Sequence, residues 1–459
     1  MKRKIFINLL ITIISVFLIK SGYALENNFL HPARYVMENG INVLIQEEHH
    51  HPITSIQICV RTGSRNENSQ TNGISHLCEH LFFRHTNPMT SAPFKASLER
   101  LGAEFNAETS KDYTCYYVNL PSKNTAQALR LMADAYINYS FSQEDFENEK
   151  KIVLNEYGLN KDNPMAKLIA KLDDVAFPNH PYRYQIIGTE HGIKDFSLND
   201  AVNYKERNYT PSNTSIIVVG DVNTYDVMEN IKTFFGSFKG PGQEDIPASE
   251  SIIPYTNQEI VEEADVTKYY ILLGYKTPGI KNIEDIYAID IITFLAGQGK
   301  SSMLHDVLTK DNKLAEEVFA SFVTPKDPGL FYIAAICKHD KYEEAKKGIF
   351  EVIENLKNGN FSDKEFERAR NLLISTYVFG AETNLDKAKT LGFYEAIDSY
   401  KIACGYIDGI NSTTKADVVK EANKLFGNSY YLLVFKPKYI PKEDDGKTKP
   451  PFPFNIFNW

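Results

Sequence analysis

The chain has 459 residues, enough for two or three domains, and 43% of them are hydrophobic, as expected of a globular protein rather than a disordered one. The formal net charge of -9 is modest and no long basic block occurs, which argues against nucleic acid as a partner. Five cysteines at irregular spacings in mostly apolar surroundings indicate neither a disulfide framework nor a CxxC zinc site, so we expect buried free thiols.

Residues 1–24 have the layout of a secretory signal peptide. Basic residues at positions 2–4 precede an apolar run from Ile5 to Ile19, and Gly22-Tyr23-Ala24 offers a small-residue cleavage site. The run is short for a membrane span, and an uncleaved anchor is the alternative. Since nothing later in the chain looks like a second span, we expect an exported protein with no stable membrane span after cleavage.

The stretch GISHLCEHLFF, residues 73–83, is an apolar helical run that carries His76, Glu79 and His80. Residues four apart lie on one face of an α-helix, so the two histidines can direct ring nitrogens at one zinc ion. Glu79 lies about 100° round the helix from His80 and can take a proton from a water whose pKa zinc lowers. The alternative is that the three are ordinary polar residues of a core helix.

A second predicted helix, residues 142–157, offers a third ligand. Catalytic zinc usually has three protein ligands and one open position, and the third should lie on a distant element. Glu149 and Glu156 are seven apart and share a helix face. Glu156 follows the apolar run IVL, so it should project toward the interior, where a carboxylate needs a partner. Either acid could instead be a solvated helix residue, since acids are common early in helices.

The second helix also reveals an internal repeat. FSQEDFENEKKIVLNEY (141–157) recurs 220 residues later as FSDKEFERARNLLISTY (361–377), with Phe, Ser, Phe, Glu and the last Tyr at the same places. Each segment begins a helix, with Ser142 or Ser362 as N-cap. Strand-like stretches precede and follow each helix, at 55–64 and 214–223 in the first half and at 269–279 and 429–438 in the second.

Two copies of one domain explain the repeat more simply than a coincidence in one short helix. We predict domains at residues 28–240 and 255–440, a polar linker at 241–254 and a disordered Pro- and aromatic-rich tail at 441–459. Strands and helices arrive in clusters, which favours an α+β fold with largely antiparallel sheets.

The polar residues of the proposed site exist in one copy only. The positions 220 after His76, Glu79 and His80 fall in AGQGK (296–300), which has neither histidine nor acid. Glu149 and Glu156 correspond to Ala369 and Thr376. All five residues vanish together, as a shared site predicts, so we expect one zinc ion per chain, held by the first domain.

The H-x-x-E-H motif is the inverted form of a common metalloprotease motif, and the chain resembles the M16 (pitrilysin or insulinase-like) metallopeptidases, specifically the small processing-peptidase-like bacterial members. The resemblance spans both halves and implies two homologous α/β-roll domains facing each other around a chamber. It implies a third ligand 76 residues after the second histidine, which is Glu156, and a supporting acid seven residues earlier, which is Glu149. The segment 101–121 resembles the family's edge strand and implies that Asn106 and Ala107 contact substrate.

The second half departs from the family's pattern. Active members usually supply an arginine and, seven residues later, a tyrosine that bind the substrate carbonyl and its oxyanion. The similar stretch here, 301–321, places Thr309 and Glu316 at those positions. Because oxyanion donors contribute several kcal/mol to lowering the barrier, zinc alone should give a poor peptidase. Some bacterial members divide the two sets between chains, and this chain looks like the zinc-bearing half of such a dimer.

The sequence therefore predicts an exported, periplasmic zinc endopeptidase for extended or unfolded peptides. Glu79 is the expected catalytic base, and peptide should add as a strand near Asn106. The competing hypothesis is a non-catalytic assembly or scaffold subunit, in which the loss of the Arg/Tyr pair reflects general decay of activity. A third is a metal-binding module that does not hydrolyse peptides.

Overall fold

A computed structural model describes residues 29–85, 93–241, 256–311, 313–427 and 429–439. The predicted signal peptide, the predicted tail and all but the first residue of the predicted linker lie outside these ranges. The described chain is α+β with two mixed sheets, which confirms the predicted fold class. Within it, no helix is both long and apolar enough to cross a membrane.

The first half contributes one six-stranded sheet and eight helices to the described structure. Its strands are β1 (Ala33–Val36), β2 (Asn42–Glu47), β3 (Ile53–Val60), β4 (Glu104–Thr109), β5 (Thr114–Pro121) and β6 (Thr214–Gly220). Its helices are α1 (Ile74–Phe82), α2 (Phe94–Arg100), α3 (Thr125–Asn138), α4 (Gln143–Lys161), α5 (Pro164–Ala176), α6 (Glu190–Asp195), α7 (Leu198–Asn208) and α8 (Thr224–Phe235).

The second half contributes a five-stranded sheet. Its strands are β7 (Gln258–Ala264), β8 (Tyr269–Lys276), β9 (Glu317–Phe322), β10 (Leu330–Cys337) and β11 (Tyr431–Pro437). Its helices are α9 (Ile283–Gly297), α10 (Tyr342–Lys357), α11 (Asp363–Phe379), α12 (Asn384–Ile397), α13 (Tyr400–Ser412) and α14 (Lys415–Phe426), with a short helical segment over 303–311 between α9 and β9.

The strand orders are β1-β2-β6-β3-β5-β4 and β7-β11-β8-β10-β9. Each sheet has one parallel pair, β2 with β6 and β7 with β11, and the other pairs are antiparallel, as predicted. The run TSIIVVG of β6 is buried at every position, which suits a central strand with both faces covered. In contrast, β4 pairs with β5 alone and forms an edge.

The repeat is reproduced in the helices. Helix α4 begins at residue 143 and α11 at residue 363, the predicted offset of 220. The hydroxyl of Ser142 accepts the Asp145 N–H at 3.0 Å, and that of Ser362 accepts the Glu365 N–H at 3.2 Å. Both serines are therefore N-caps, as predicted, and each capping acid bonds back to its serine.

Each half covers the other half's sheet with a helix. Helix α12 of the second half packs on β3 and β6, so closely that a Cβ on Gly392 would lie 2.5 Å from Gln57 Oε1. Reciprocally, α5 of the first half packs on β8 and β11, with Leu172 against Gly274. The hydrophobic cores are consequently shared between the halves.

The expectation of free thiols is wrong for two of the five cysteines. Cys59 and Cys115 form a disulfide, whereas Cys78, Cys337 and Cys404 are free. The pair lies directly opposite in the antiparallel register of β3 and β5, with Cα atoms 4.2 Å apart. This register depends on which strands become neighbours, and sequence spacing does not reveal it.

Candidate metal centre

Helix α1, which carries the two histidines, begins at a tight junction. Gly73 has a φ of 98°, and a Cβ there would lie 2.7 Å from the Cα of Gly188, so only glycine fits. No side chain at Gly73 can cap the helix, and the buried carboxylate of Glu67 takes that role. It accepts the N–H groups of Gly73 and Ser75, each at 2.8 Å. A carboxylate is favourable here because a helix N-terminus carries unpaired N–H groups and partial positive charge.

The apolar face of α1 fixes which way its histidines point. Leu77, Cys78 and Leu81 are fully buried in a cluster with Phe146 and Val153 of α4. Cys78 Sγ lies 3.7 Å from the carbonyl oxygen of residue 201, on the side away from the histidines. This packing lays α1 on α4 and brings the acids of α4 beside the histidine face.

His76, His80 and Glu156 come together, as expected from helix spacing and from the family resemblance. Glu156 Oε2 lies 3.9 Å from His76 Nε2 and 3.7 Å from His80 Nε2. One donor atom from each residue lies within 4.8 Å of the other two, and these are the residues that could hold a metal ion in the described part of the chain. Two imidazoles and a carboxylate are a ligand set of catalytic zinc, and they leave a fourth position open.

The protonation of His76 also fits a metal ligand. Burial, with a contribution from the charge of His80, lowers the pKa of His76 to about 4. The ring is therefore neutral at pH 7, the state that binds a metal. Its Nδ1 is buried and has no hydrogen-bond partner among the described residues, so Nε2 is the nitrogen that faces the other donors.

Glu149 holds His80 in place. His80 Nδ1 lies 3.0 Å from Glu149 Oε2, and Arg84 Nε donates to the other carboxylate oxygen. Burial favours the neutral acid, but the hydrogen bonds from His80 and Arg84 outweigh it and lower the pKa of Glu149. A buried carboxylate on Nδ1 orients the ring and leaves Nε2 free for a metal. Glu149 is thus not a solvated helix acid.

Glu79 lies beside the group without being one of its three donors. Its carboxylate accepts a hydrogen bond from Thr109 Oγ1 at the end of β4. Burial raises the pKa of Glu79, the Thr109 bond and the charge of His80 oppose it, and the charge of Glu156 adds to it. A carboxylate with a raised pKa is suited to accept a proton from water and to return it.

The edge strand β4 runs next to α1 and contains Asn106 and Ala107. Ser110 N–H donates to the Tyr113 carbonyl at 2.8 Å and closes the β4–β5 hairpin. Because hydrogen-bonded pairs alternate in an antiparallel ladder, the backbone groups of residues 105, 107 and 109 point away from β5. The N–H of Ala107 is accordingly bonded at 2.9 Å to the exposed Asn106 side chain rather than to β5. That edge could pair with an added strand.

Three supporting residues were not predicted from the sequence: Glu67, Arg84 and Thr109. For Arg84 a signal existed, because it lies four residues after His80 and one helical turn further on the same side. The contacts of Glu67 and Thr109 depend on how separate segments pack. His85, which the sequence analysis did not assign to the site, bonds Asp134 at 3.1 Å instead.

The second half offers no cation or phenol at the two positions expected to bind a substrate carbonyl. Thr309 lies in the helical segment 303–311, where its hydroxyl donates to the His305 carbonyl at 2.8 Å. The carboxylate of Glu316 pairs with Lys268 at the surface. Neither side chain can stabilise an oxyanion as an arginine or a tyrosine does.

Comparisons with known proteins match both halves. Residues 42–190 match the family model for insulinase (peptidase family M16), and residues 195–373 match the model for the peptidase M16 inactive domain. The chain is 28% identical over 410 residues to the zinc protease PqqE of Helicobacter pylori, covering 87% of this chain and 91% of that protein. It is 26% identical over 406 residues to the uncharacterized zinc protease YmxG of Bacillus subtilis, covering 88% and 98%.

Solved structures have the same architecture. The crystal structure of a protease from Helicobacter pylori superposes with a TM-score of 0.82 at 26% identity, covering 89% of this chain and all of that one. A peptidase M16 inactive domain from Pseudomonas fluorescens superposes with a TM-score of 0.80 over 90% of this chain. Its identity is 19%, so this second likeness concerns the fold alone.

Proposed function

Because the chain belongs to the M16 insulinase family of zinc proteases, we propose that it is an exported endopeptidase that hydrolyses extended or unfolded peptides. One observation carries the proposal. A His-His-Glu donor set converges, and a further residue, the half-buried acid Glu79 with its raised pKa, lies beside it. A structural metal site would have no use for an additional acid that is not one of its ligands.

The reaction follows from what these side chains do. Zinc held by His76, His80 and Glu156 would polarise a water molecule and lower its pKa. Glu79 is placed to accept a proton from water as the water oxygen attacks the peptide carbonyl carbon, and to return that proton to the amine as the C–N bond breaks, while Thr109 holds the Glu79 carboxylate in place. The free edge of β4 binds the peptide backbone, and the side chain of Asn106 gives up its bond to the Ala107 N–H.

We place the enzyme in the bacterial periplasm. The signal-like segment 1–24 supports export, and so does the Cys59–Cys115 disulfide, because disulfides persist in oxidising compartments. The nature of Thr309 and Glu316 supports a split active site, in which a related chain supplies the arginine and tyrosine.

The test is zinc content and peptide cleavage by the mature chain, alone and mixed with a related chain that has Arg-x6-Tyr. We expect one zinc per chain and cleavage in the mixture. Glu79→Gln should keep its zinc and lose cleavage by about 10²–10⁴-fold, the usual contribution of a general base. Glu229→Gln, which removes an exposed carboxylate paired with Lys232, is the matched control and should cleave normally.

Each other outcome has a defined meaning. Cleavage by the pure chain would reject the split site and keep the enzyme. Zinc without cleavage in any mixture would favour a metal-binding module. A chain without zinc would reject the enzyme and favour the scaffold subunit, for which the missing Arg/Tyr pair is the supporting observation.

A further inference from the structure

Helix α4 exposes two large apolar side chains and α11 exposes three, of which Val378, 40% exposed, has Gly158 as its counterpart in the repeat. On α4, Ile152 is 42% and Leu159 81% exposed, and we name this pair the first ridge. On α11, Leu372 is 41% and Phe379 70% exposed, and this pair is the second ridge. Residues 152 and 372, like 159 and 379, are 220 apart, so the ridges occupy equivalent positions of the repeat.

Packing of the hydrophobic core does not explain why both copies of the repeat have apolar residues at these exposed positions. Other apolar pairs of the repeat, Phe146 with Phe366 and Val153 with Leu373, are buried, and the core requires them in both copies. The ridge residues are exposed, where a polar residue would serve the fold equally well or better. The metal ligand between them in sequence, Glu156, has not been kept in the second copy, yet the ridge has.

The first ridge adjoins the metal group. Residues 152, 156 and 159 lie on one face of α4, because steps of four and three residues return nearly to the same side of a helix. The Glu156 side chain is 44% exposed, whereas those of His76 and His80 are 12% and 20% exposed. The donor set is therefore most open on the side where α4 presents Ile152 and Leu159.

The second ridge lies beside the helix that corresponds to α1. Helix α9 packs on α11 as α1 packs on α4. A Cβ on Gly299, two residues after the end of α9, would be 3.6 Å from Leu372 Cδ2. In both halves the ridge therefore lies on the helix that packs against α1 or against α9, the helix of the second half that corresponds to α1.

We propose that the two ridges bind apolar side chains of the peptide substrate, the first next to the cleaved bond and the second further along the same peptide. This inference rests on the proposed function and adds a preference to it. The edge of β4 recognises backbone groups, which every peptide has, so a preference for side chains must come from other surfaces. A peptide that reaches the donor set passes the open side of Glu156 and so meets the first ridge.

Binding can be measured without cleavage in the Glu79→Gln background. The probes are two fluorescently labelled, unstructured peptides of equal length, one rich in Leu, Phe and Val and one of Ser, Gly and Asn. The variants are Ile152→Ser/Leu159→Ser and Leu372→Ser/Phe379→Ser, each checked for zinc content and circular dichroism. The control is Tyr225→Ser, which removes another exposed apolar side chain, 72% exposed, on α8.

We expect the first-ridge variant to bind the apolar peptide about tenfold more weakly, since partial burial of two aliphatic side chains is of that order. The second-ridge variant should also bind the apolar peptide more weakly. The dissociation constant of the polar peptide for either ridge variant, and that of the apolar peptide for Tyr225→Ser, should change by less than about twofold. An unchanged dissociation constant for the apolar peptide in both folded variants, or no binding of it to the Glu79→Gln chain, overturns the inference.

Two further results separate this inference from its alternatives. If the ridge variants turn a dimer into a monomer in sedimentation while peptide binding is unchanged, the ridges are an interface between copies and the inference is wrong. If peptide binding depends on the ridges but no mixture shows Glu79-dependent cleavage, the ridges stand and the proposed endopeptidase falls.

Discussion

At the scale of single residues, the donor set depends on a carboxylate that is not one of its members. Glu149 is 3% exposed and lies between His80 and Arg84. It both fixes the imidazole ring and increases the basicity of its free nitrogen. Its removal would leave the Nδ1–H of His80 and the Arg84 guanidinium without this acceptor.

We therefore predict that Glu149→Ala weakens zinc binding by about 10–100-fold, the usual cost of losing a residue that orients a ligand. Competition with a chelator at neutral pH measures it. Glu147→Ala is the control, because this exposed acid of the same helix contacts Gln143 at 3.1 Å and Lys150 at 3.8 Å and neither of the histidines. Equal zinc affinities for the Glu149 variant and the wild type would show that His80 needs no such support.

Burial of a lysine makes a second residue-scale effect depend on pH. Lys276 on β8 is 4% exposed, with its Nζ 3.4 Å from the centroid of the Phe177 ring. Burial lowers the pKa of Lys276 to about 7 from its ordinary 10.5, against the charge of Asp173, which raises it. Between pH 7 and pH 10.5, Lys276 is protonated in the unfolded chain and largely neutral in the folded one. The free energy of unfolding therefore rises with pH through this range.

Lys276→Met should accordingly raise the free energy of unfolding most at pH 7 and below, where the buried amine is charged, and its advantage should shrink toward about pH 10. Urea unfolding at several pH values measures the difference. Lys420→Met, at an exposed position of α14, should show no such trend. A difference for Lys276→Met that is constant across this range would contradict the prediction.

The convergence of the candidate metal ligands could be predicted because local geometry fixes most of their arrangement. A spacing of four on one helix places His76 and His80 together whatever the rest of the fold does. Glu156 was reached through a resemblance to known sequences as well as through its spacing from Glu149. The Thr109 contact to Glu79 could not be predicted, because it requires β4 to lie against α1, and no local pattern states that.

At the scale of elements, the positions of strands along the sequence could be predicted from apolar runs, whereas the pairing of strands within each sheet could not. The predicted segments 214–223 and 429–438 contain β6 and β11, both rich in buried branched residues. Neither run indicates that β6 lies between β2 and β3, or that β11 lies between β7 and β8. These placements are decided by packing between distant segments, and the disulfide between β3 and β5 follows from them.

The disulfide yields an element-scale prediction. The denatured chain should show three thiols before reduction and five after it, in a titration with a thiol reagent. Cys59→Ala/Cys115→Ala should lower the free energy of unfolding by up to about 4 kcal/mol, because the bond closes a loop of 56 residues in the unfolded chain. Five thiols in the denatured, unreduced chain would show that the bond does not form.

At the scale of the whole molecule, the two halves are bound by more than a linker. Each sheet is covered by a helix of the other half, α12 on the first and α5 on the second. Charged side chains also pair across the boundary: the buried Arg65 Nε lies 2.5 Å from Asp327 Oδ2, and the half-buried Arg61 Nη2 lies 3.0 Å from the buried Glu395 Oε1. Separating such a pair leaves uncompensated buried charge, which is strongly destabilising.

We therefore predict that the halves do not fold independently. Residues 29–241 alone would leave β3 and β6 without α12, and residues 256–439 alone would leave β8 and β11 without α5. Each fragment should aggregate or bind a hydrophobic dye and lack a cooperative thermal transition, whereas the intact chain should unfold in one calorimetric step.

A chain cut at a protease site inserted into the 241–254 segment is the control. The cut chain should stay folded, because α5 and α12 still pack on the sheet of the other half and keep the two pieces together. Two separate transitions in the intact chain, or a fragment with its own cooperative transition, would show that the shared cores do not couple the halves.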